Sequence, residues 1–226
     1  MILNIETSSK ICSVALCEEG TTWFSLESDT EMDHARRLAP FVERCMKELT
    51  SRGRKLDAVA VSMGPGSYTG LRIGLSLAKG LCFGLGIPMI GVSTLELLAV
   101  KAMFAVRDFD EGQLYVPMID ARRMEVYTAV YDLALKPVLP PEPMILTPES
   151  YTEWSSRRLI FIGDGVKKAK ELLHFPNARW IDSMPLASDM TALSEKAFRE
   201  RKFLDIAYST PYYLKNFQAT TPKAKL

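Results

Sequence analysis

The sequence predicts an α/β protein whose two halves share one plan. Three observations favour this class: apolar strands alternate with periodic helices, a strand enters a glycine-rich turn and then a helix at 57–86, and the opening strand pattern recurs halfway along the chain. At 226 residues the chain is long enough for two compact halves of about 100–120 residues each. We therefore predict two lobes, each a mixed sheet flanked by helices.

The first lobe, residues 1–106, is predicted to begin with a strand meander and to continue with alternating helices and strands. Ser67 or Thr69 is the predicted cap of the helix that follows the glycine-rich turn. A charged segment, 107–112, is the predicted boundary to a second lobe, 113–226. The predicted elements of the first lobe are strands at 1–6, 11–17 and 22–26, a helix at 34–52, a strand at 58–63, a helix at 69–86, a strand at 89–92 and a helix at 95–106.

The second lobe is predicted to be a duplicate of the first. Aligning Ile5 with Ile119 places a carboxylate, Glu6 or Asp120, at the end of the opening strand of each half. A hairpin of similar length follows in both halves, and LIFIGDG at 159–165 corresponds to the strand and glycine-rich turn of the first half. Two matches in the same order indicate an internal repeat.

The rest of the second lobe is less regular. Prolines between 137 and 148 predict an extended loop with little regular structure. A short strand at 180–181 and a helix at 187–203 are predicted next. The chain ends in a basic tail that carries Lys215, Lys223 and Lys225.

Composition indicates an ordinary globular protein. Hydrophobic residues make up 47% of the chain and charged residues 24%, and the net charge is +1. A whole-molecule field that attracts nucleic acid is therefore excluded, so any RNA contact needs a local patch or a partner. The four cysteines lack metal-site spacing and are predicted to be reduced core thiols. Without a leader-like segment or a long apolar run, we expect a cytoplasmic protein with no membrane segment.

Small residues recur at intervals of four along the predicted helix 69–86. Gly66, Gly70, Gly74 and Ala78 form this small-residue ladder, although each glycine weakens a helix by roughly 0.5–1 kcal/mol relative to alanine. Three explanations are open. Another backbone approaches along the ladder, the amides from Gly66 to Thr69 hold an anion at the helix start, or the ladder packs on the sheet of its own domain.

The carboxylates and the glycine-rich turn together form the pattern of a nucleotide cleft between related domains. Glu6 and Asp120 would hold magnesium through water, while backbone amides cradle phosphates. The alternative is structural, with both carboxylates capping turns. A Walker A motif is absent, because the segment 64–70 has no Gly-Lys-Ser/Thr ending.

The residues predict neither a catalytic group nor a metal site. Ser67 lacks the nucleophile-elbow context, and only His34 and His174 are available as histidine partners. Arg72 is unusual, because a cation is disfavoured near the start of a helix, so it is expected to pair with a carboxylate or to contact a partner.

At this point the sequence resembles the TsaB family, bacterial subunits of the tRNA threonylcarbamoyladenosine machinery. The most specific motif is GPGSYTGLRIGLSLAKGL. The segments that carry the resemblance are 1–16, 64–81, 88–99, 119–131 and 162–165, with the helix opened by His34. The resemblance implies two duplicated actin-like lobes of the ribonuclease H-like ASKHA superfamily. It also implies a non-catalytic subunit of the complex that transfers threonylcarbamoyl from threonylcarbamoyl-adenylate to N6 of adenine 37 in tRNAs reading ANN codons.

The resemblance further implies partners and surfaces. The partners are a TsaD-like catalytic paralogue and a TsaE-like ATPase, with tRNA reached through the complex and a homodimer allowed when the chain is alone. No cofactor or metal is expected. The implied partner interface comprises His34, Leu38, Phe41, Cys45, Gly70, Arg72, Gly74 and Ala78. The vestigial nucleotide turn comprises Glu6, Thr7, Gly64, Gly66, Ser67 and Asp120.

Three positions depart from the family pattern, and one other function class competes with it. Glu6 stands where many relatives have Asp, Tyr68 where Phe is common, and Lys215 where an Arg is usual. Lysine cannot reproduce the bidentate fork of that arginine. The alternative function is a stand-alone ATP-dependent kinase of the same superfamily. A peptidase is a third candidate, disfavoured by the missing histidine pair.

Overall fold

Two five-stranded mixed sheets flanked by helices form the molecule. The structure, a computed structural model, describes residues 1–28, 33–108 and 110–215. Lys223 and Lys225 of the predicted basic tail lie outside the described residues. The first-sheet half contains β1 (Ile2–Glu6), β2 (Ser13–Glu18), β3 (Thr21–Glu27), α1 (His34–Ser51), β4 (Ala58–Gly64), α2 (Tyr68–Leu85), β5 (Met89–Ser93) and α3 (Thr94–Ala105). The rest contains β6 (Leu114–Asp120), β7 (Glu125–Tyr131), β8 (Pro137–Ile145), β9 (Leu159–Ile162), α4 (Val166–Leu172), β10 (Arg179–Ile181) and α5 (Thr191–Arg199).

The two sheets have the same topology, which confirms the predicted duplication. The first sheet runs β3-β2-β1-β4-β5, and the second runs β8-β7-β6-β9-β10. In each sheet the opening strand pairs antiparallel with the hairpin strand beside it and parallel with the strand on its other side. The carboxylates Glu6 and Asp120 therefore end equivalent strands, β1 and β6.

The prediction of a loop at the proline-rich segment is wrong, because β8 (Pro137–Ile145) is a strand. It pairs antiparallel with β7 and forms the edge of the second sheet, where it is the counterpart of β3. An edge strand has one side that needs no ladder hydrogen bonds, so prolines are tolerated there. Two register shifts interrupt the pairing with β7 and accommodate the prolines further.

The helix that closes each half packs against the sheet of the other half. Leu95, Leu98 and Ala102 of α3 lie in a core with residues of β6, β7 and β9. The side chains of α5 pack instead on the first sheet, as Leu193 and Phe198 contact the cluster around β4 and β5. Because sheets enclose α3, it is apolar on nearly all sides. Among the described residues, no helix is both long enough and apolar enough to cross a lipid bilayer.

Most of the first core lies between the first sheet and the pair α1 and α2. Its buried members come from β1, β2 and β4 and from the inner faces of both helices. The four cysteines, Cys12, Cys17, Cys45 and Cys82, are buried free thiols, as the sequence predicted. Burial raises the pKa of the Cys12 thiol to about 12, which makes it an inert core residue.

Candidate partner-binding surface and glycine-rich turn

The glycine-rich turn joins β4 to α2, as predicted. Strand β4 ends at Gly64, and the Ser67 hydroxyl caps the helix by accepting a hydrogen bond from the Gly70 amide at 3.2 Å. Of the two predicted cap residues, Ser67 therefore has this role. The cap leaves less free donor capacity at the start of α2.

The segment after β1 fills the space above this turn. The Ser67 amide donates to the Ser8 carbonyl at 2.7 Å. A Cβ at Gly66 would overlap that same carbonyl oxygen, and a Cβ at Gly70 would overlap the Thr7 carbonyl oxygen. The predicted phosphate cradle at the Gly66–Thr69 amides is therefore corrected, because the Ser67 amide is already used by the chain's own backbone.

The small-residue ladder is closed for the same reason. Gly70, Gly74 and Ala78 are buried, and a Cβ at Gly74 would overlap the Thr7 hydroxyl oxygen. The ladder thus packs on its own domain, the third of the explanations left open by the sequence. The expectation that Gly70, Gly74 and Ala78 belong to a partner interface is wrong, since they line no surface.

Glu6 is fully buried at the end of β1. One carboxyl oxygen accepts a hydrogen bond from the Ser8 amide at 2.6 Å, and the other has no partner among the described residues. Burial raises the pKa of Glu6, while the Ser8 contacts lower it by a smaller amount. A carboxyl group in this setting is a poor ligand for a hydrated magnesium ion, so the expected ligand role of Glu6 does not fit its surroundings.

Asp120, the counterpart of Glu6 in the second lobe, is exposed and stabilises a turn. Its Oδ1 accepts from the Arg122 amide at 2.6 Å and from Lys168 Nζ at 2.7 Å. Its own amide donates to Asp164 at 2.8 Å, and burial raises the pKa of Asp164. The turn-capping alternative is therefore correct for Asp120. In the part of the chain that the structure describes, no three His, Cys, Asp or Glu side chains are grouped as a metal site.

Three of the predicted interface residues on α1 point into the protein. His34 is buried with its Nε2 donating to the Ser9 carbonyl at 2.9 Å, and burial lowers its pKa. Leu38 and Cys45 are core residues of the first lobe. Phe41 is only partly buried, so it is the member of this set that α1 presents towards solvent.

A surface that the sequence reasoning missed lies on the flanks of α1 and α2. We call it the α1–α2 surface, and its partly buried apolar members are Phe41, Met46, Ile73, Leu77 and Leu81. The three α2 residues recur every fourth position, beside the ladder rather than on it. That spacing was readable in the sequence, but the glycines drew attention to the wrong face.

Arg72 contacts the carboxyl-terminal part of its own chain. Its guanidinium carbon lies 4.1 Å from the centre of the Tyr68 ring, and its Nε donates to the Tyr213 hydroxyl at 3.1 Å. The two tyrosine rings are 5.0 Å apart. This arrangement explains a cation at the start of a helix, because stacking and a phenol oxygen replace the carboxylate partner that the sequence suggested.

Residues 204–215 form a strap along α2 and β5. The Leu204 amide donates to the Met89 carbonyl at 2.8 Å, and the Tyr212 amide donates to the Met63 carbonyl at 2.7 Å. At its end, Lys215 forms an ion pair with Glu125 at the start of β7. The strap therefore contacts both halves of the molecule.

Comparison with known proteins decides the family. A profile described as "TsaD: tRNA N6-adenosine threonylcarbamoyltransferase" matches residues 28–224. The tRNA threonylcarbamoyladenosine biosynthesis protein TsaB of Escherichia coli is 31% identical over 231 residues, which cover 95% of this chain and 94% of that protein. The chain belongs to the TsaB family. The Bacillus subtilis TsaB is 34% identical over 177 residues, or 76% of this chain and 74% of that protein.

Solved structures agree with the TsaB assignment. A structure described as "YeaZ from Pseudomonas aeruginosa" has 31% sequence identity and a TM-score of 0.77, covering 94% of this chain and 99% of that chain. A second structure, described as an uncharacterized protein with similarity to peptidase YEAZ from the same organism, has 30% identity and a TM-score of 0.78. It covers 95% of this chain and 99% of that one. The two-lobed fold is thus shared over nearly the whole length.

Proposed function

We propose that this chain is a non-catalytic subunit for tRNA threonylcarbamoyladenosine synthesis. It would pair with a TsaD-like catalytic paralogue, so that threonylcarbamoyl passes from threonylcarbamoyl-adenylate to N6 of adenine 37 in tRNAs that read ANN codons. The carrying observation is the near end-to-end similarity to a protein named for that biosynthesis. A TsaE-like ATPase, a homodimer of the free chain, a cytoplasmic location and lobes at 1–106 and 113–226 are parts of the same proposal.

The filled glycine-rich turn supports the non-catalytic role. A nucleotide site needs free amides at the turn and solvated carboxylates for magnesium. Here the Ser67 amide is bonded to Ser8, the Glu6 carboxyl is buried, and Asp120 is engaged by Lys168. These contacts also argue against the stand-alone kinase. We expect titration of the isolated chain with ATP and magnesium to give no micromolar binding.

The α1–α2 surface is the proposed site for the TsaD-like partner. It replaces the ladder in the earlier expectation, since its five side chains are apolar and partly exposed while the ladder is covered. Partly exposed apolar side chains on adjacent helices gain free energy when a partner removes them from water. Charged residues on α1, among them Arg44 and Lys47, lie nearby on the exposed face and suit a polar rim.

The experiment is a binding measurement between the chain and its TsaD-like partner by isothermal titration. Leu77→Gln keeps the volume of the side chain but places an amide on the surface. We expect the Kd to rise at least about tenfold, which corresponds to about 1.4 kcal/mol. The matched control is Phe104→Gln, on the exposed end of α3, where 78% of the residue is accessible.

Circular dichroism melting separates a binding effect from a folding effect in both variants. A Leu77→Gln protein that folds and binds as tightly as the Phe104→Gln control would contradict the proposed surface. Failure of the wild-type chain to bind any TsaD-like subunit would contradict the proposed function itself.

A further inference from the structure

Two consecutive arginines occupy the tip of the hairpin between β6 and β7 in a backbone conformation that arginine rarely adopts. Arg122 has φ +69° and Arg123 has φ +50°, the left-handed region that favours glycine and asparagine. Both side chains are exposed. Within residues 1–28, 33–108 and 110–215, neither guanidinium has a hydrogen bond or ion pair. The turn therefore presents two unpaired cations although other residues would fit its backbone better.

The acidic groups beside this tip are already neutralised by lysines. Lys168 Nζ lies 2.7 Å from Asp120 Oδ1, and Lys215 pairs with Glu125. Asp120 precedes the tip and Glu125 follows it. The positive charge of the two arginines is consequently not cancelled by the carboxylates that flank them in the sequence.

The strap brings aromatic and further basic groups to the same side of the molecule. Tyr212 is 53% exposed, and Tyr213 holds the Arg72 guanidinium. Two residues of extended chain span at most about 7 Å, so the backbone of Lys215 lies close to that of Tyr213. Because Lys215 pairs with Glu125, it links Tyr212 and Arg72 to the arginine hairpin. We call this the arginine–tyrosine surface, formed by Arg72, Arg122, Arg123, Tyr212 and Lys215.

We infer that the arginine–tyrosine surface binds a single-stranded loop of the tRNA substrate. Guanidinium groups match phosphate oxygens in a bidentate fork, and an exposed phenol ring offers a face on which a base can stack. An acidic peptide would use the charge but would leave the exposed ring without a matching group. The choice of tRNA rests on the proposed function, whereas the surface itself follows from the geometry.

The test is binding of a fluorescently labelled tRNA anticodon stem-loop to the complex of this chain with its TsaD-like partner. Arg122→Asn with Arg123→Gly removes both charges and installs residues that tolerate the left-handed backbone. The matched control is Arg199→Ser with Arg201→Gly, because Arg201 also has a positive φ, +55°, and both control arginines are exposed. Both double variants remove two positive charges.

We expect the hairpin variant to melt at or above the wild-type temperature and to bind the RNA at least about tenfold more weakly. Its salt dependence should be shallower by about 1.4 in the slope of log K against log salt, from about 0.7 per lost phosphate contact on a single strand. The control should bind within about twofold of wild type. Tyr212→Ser should weaken binding without changing the salt slope, because it removes stacking rather than charge.

Three results would overturn the inference: unchanged RNA affinity in the hairpin variant, equal losses in the hairpin and control variants, or loss of TsaD-like partner binding in place of RNA binding. The last would assign the surface to a protein partner. These failures are distinguishable from failure of the proposed function. A wild-type complex that modifies tRNA while the hairpin variant binds RNA normally overturns the RNA surface alone.

Discussion

Thr7 fills the space that helix α2 leaves open at Gly74. The Thr7 hydroxyl lies where a Cβ at Gly74 would stand, and the Thr7 carbonyl does the same at Gly70. This contact joins the end of the first strand to the helix after the glycine-rich turn. It explains why a helix of 18 residues keeps glycines on its inner face despite their cost in helix propensity.

Gly74→Ala should destabilise the protein by about 1–3 kcal/mol, the usual cost of forcing extra volume into a packed interior. The matched control is Gly80→Ala on the same helix, where an added Cβ meets nothing within 4 Å. That variant should be more stable than wild type by about 0.5–1 kcal/mol, because alanine is the better helix former. Urea unfolding of both variants gives the two free energies.

The cause can be assigned to Thr7 with a double variant. Thr7→Ala removes the hydroxyl, so combining it with Gly74→Ala should cost less than the sum of the two single changes. If Gly74→Ala unfolds with the wild-type free energy, the close contact does not govern this helix.

Glu6→Gln should stabilise the protein at pH 7. Because burial raises the pKa of Glu6 in the folded state, the folded protein binds this proton more tightly than the unfolded chain does. Stability from this group is therefore fully present below the unfolded pKa, near 4.5, and is lost as pH rises towards the folded pKa. Glutamine stays neutral throughout and keeps an acceptor for the Ser8 amide.

The measurement is the difference in unfolding free energy between Glu6→Gln and wild type from pH 4 to pH 8. The variant should gain relative to wild type as pH rises and should show little or no advantage at pH 4. A difference that is constant across this range, or one that reverses in sign, would contradict a Glu6 carboxyl destabilised by burial.

Tyr213→Ala should release the strap from α2. The change removes the hydroxyl that accepts from Arg72 and the ring beside Tyr68, so amides at 204–212 should exchange hydrogen faster while the core strands keep their protection. Tyr208→Ala is the control, since Tyr208 is 85% exposed. Equal exchange in the two variants would mean that the ring cluster does not anchor the strap.

The four cysteines should be unreactive in the native protein. Burial raises the pKa of the Cys45 thiol to about 12 and that of Cys82 to about 11, so almost no thiolate forms at pH 8. A chromogenic thiol reagent should therefore label about four equivalents in denaturant and fewer than about 0.2 without it. Rapid native labelling of a full equivalent would show that one of these side chains is accessible.

Much of the fold was predictable from sequence, because strand order follows from the internal repeat. The one misassigned strand, β8, was also recoverable, since the repeat requires a counterpart of β3 at that position. Proline content argued against a strand only because local propensity carries no information about sheet edges.

The site was less predictable, for a physical reason. Glycines at 70 and 74 signal that something approaches closely, but not what approaches, and the answer, Thr7, is distant in sequence. Arg72 showed the same ambiguity, as its partner Tyr213 lies at the far end of the chain. Pattern within one helix identifies a packing face, whereas the neighbour on that face is set by tertiary structure.

The most direct test of the central claim is threonylcarbamoyl transfer to tRNA in a reconstituted system. Purified TsaD-like and TsaE-like proteins, threonylcarbamoyl-adenylate, ATP and an ANN-decoding tRNA are combined with or without this chain, and the modified nucleoside is quantified by mass spectrometry. We expect modification to require the chain, and Asp120→Asn, which alters a turn rather than a catalytic group, to retain at least about half of the wild-type rate. Modification at the full rate without the chain would contradict the account.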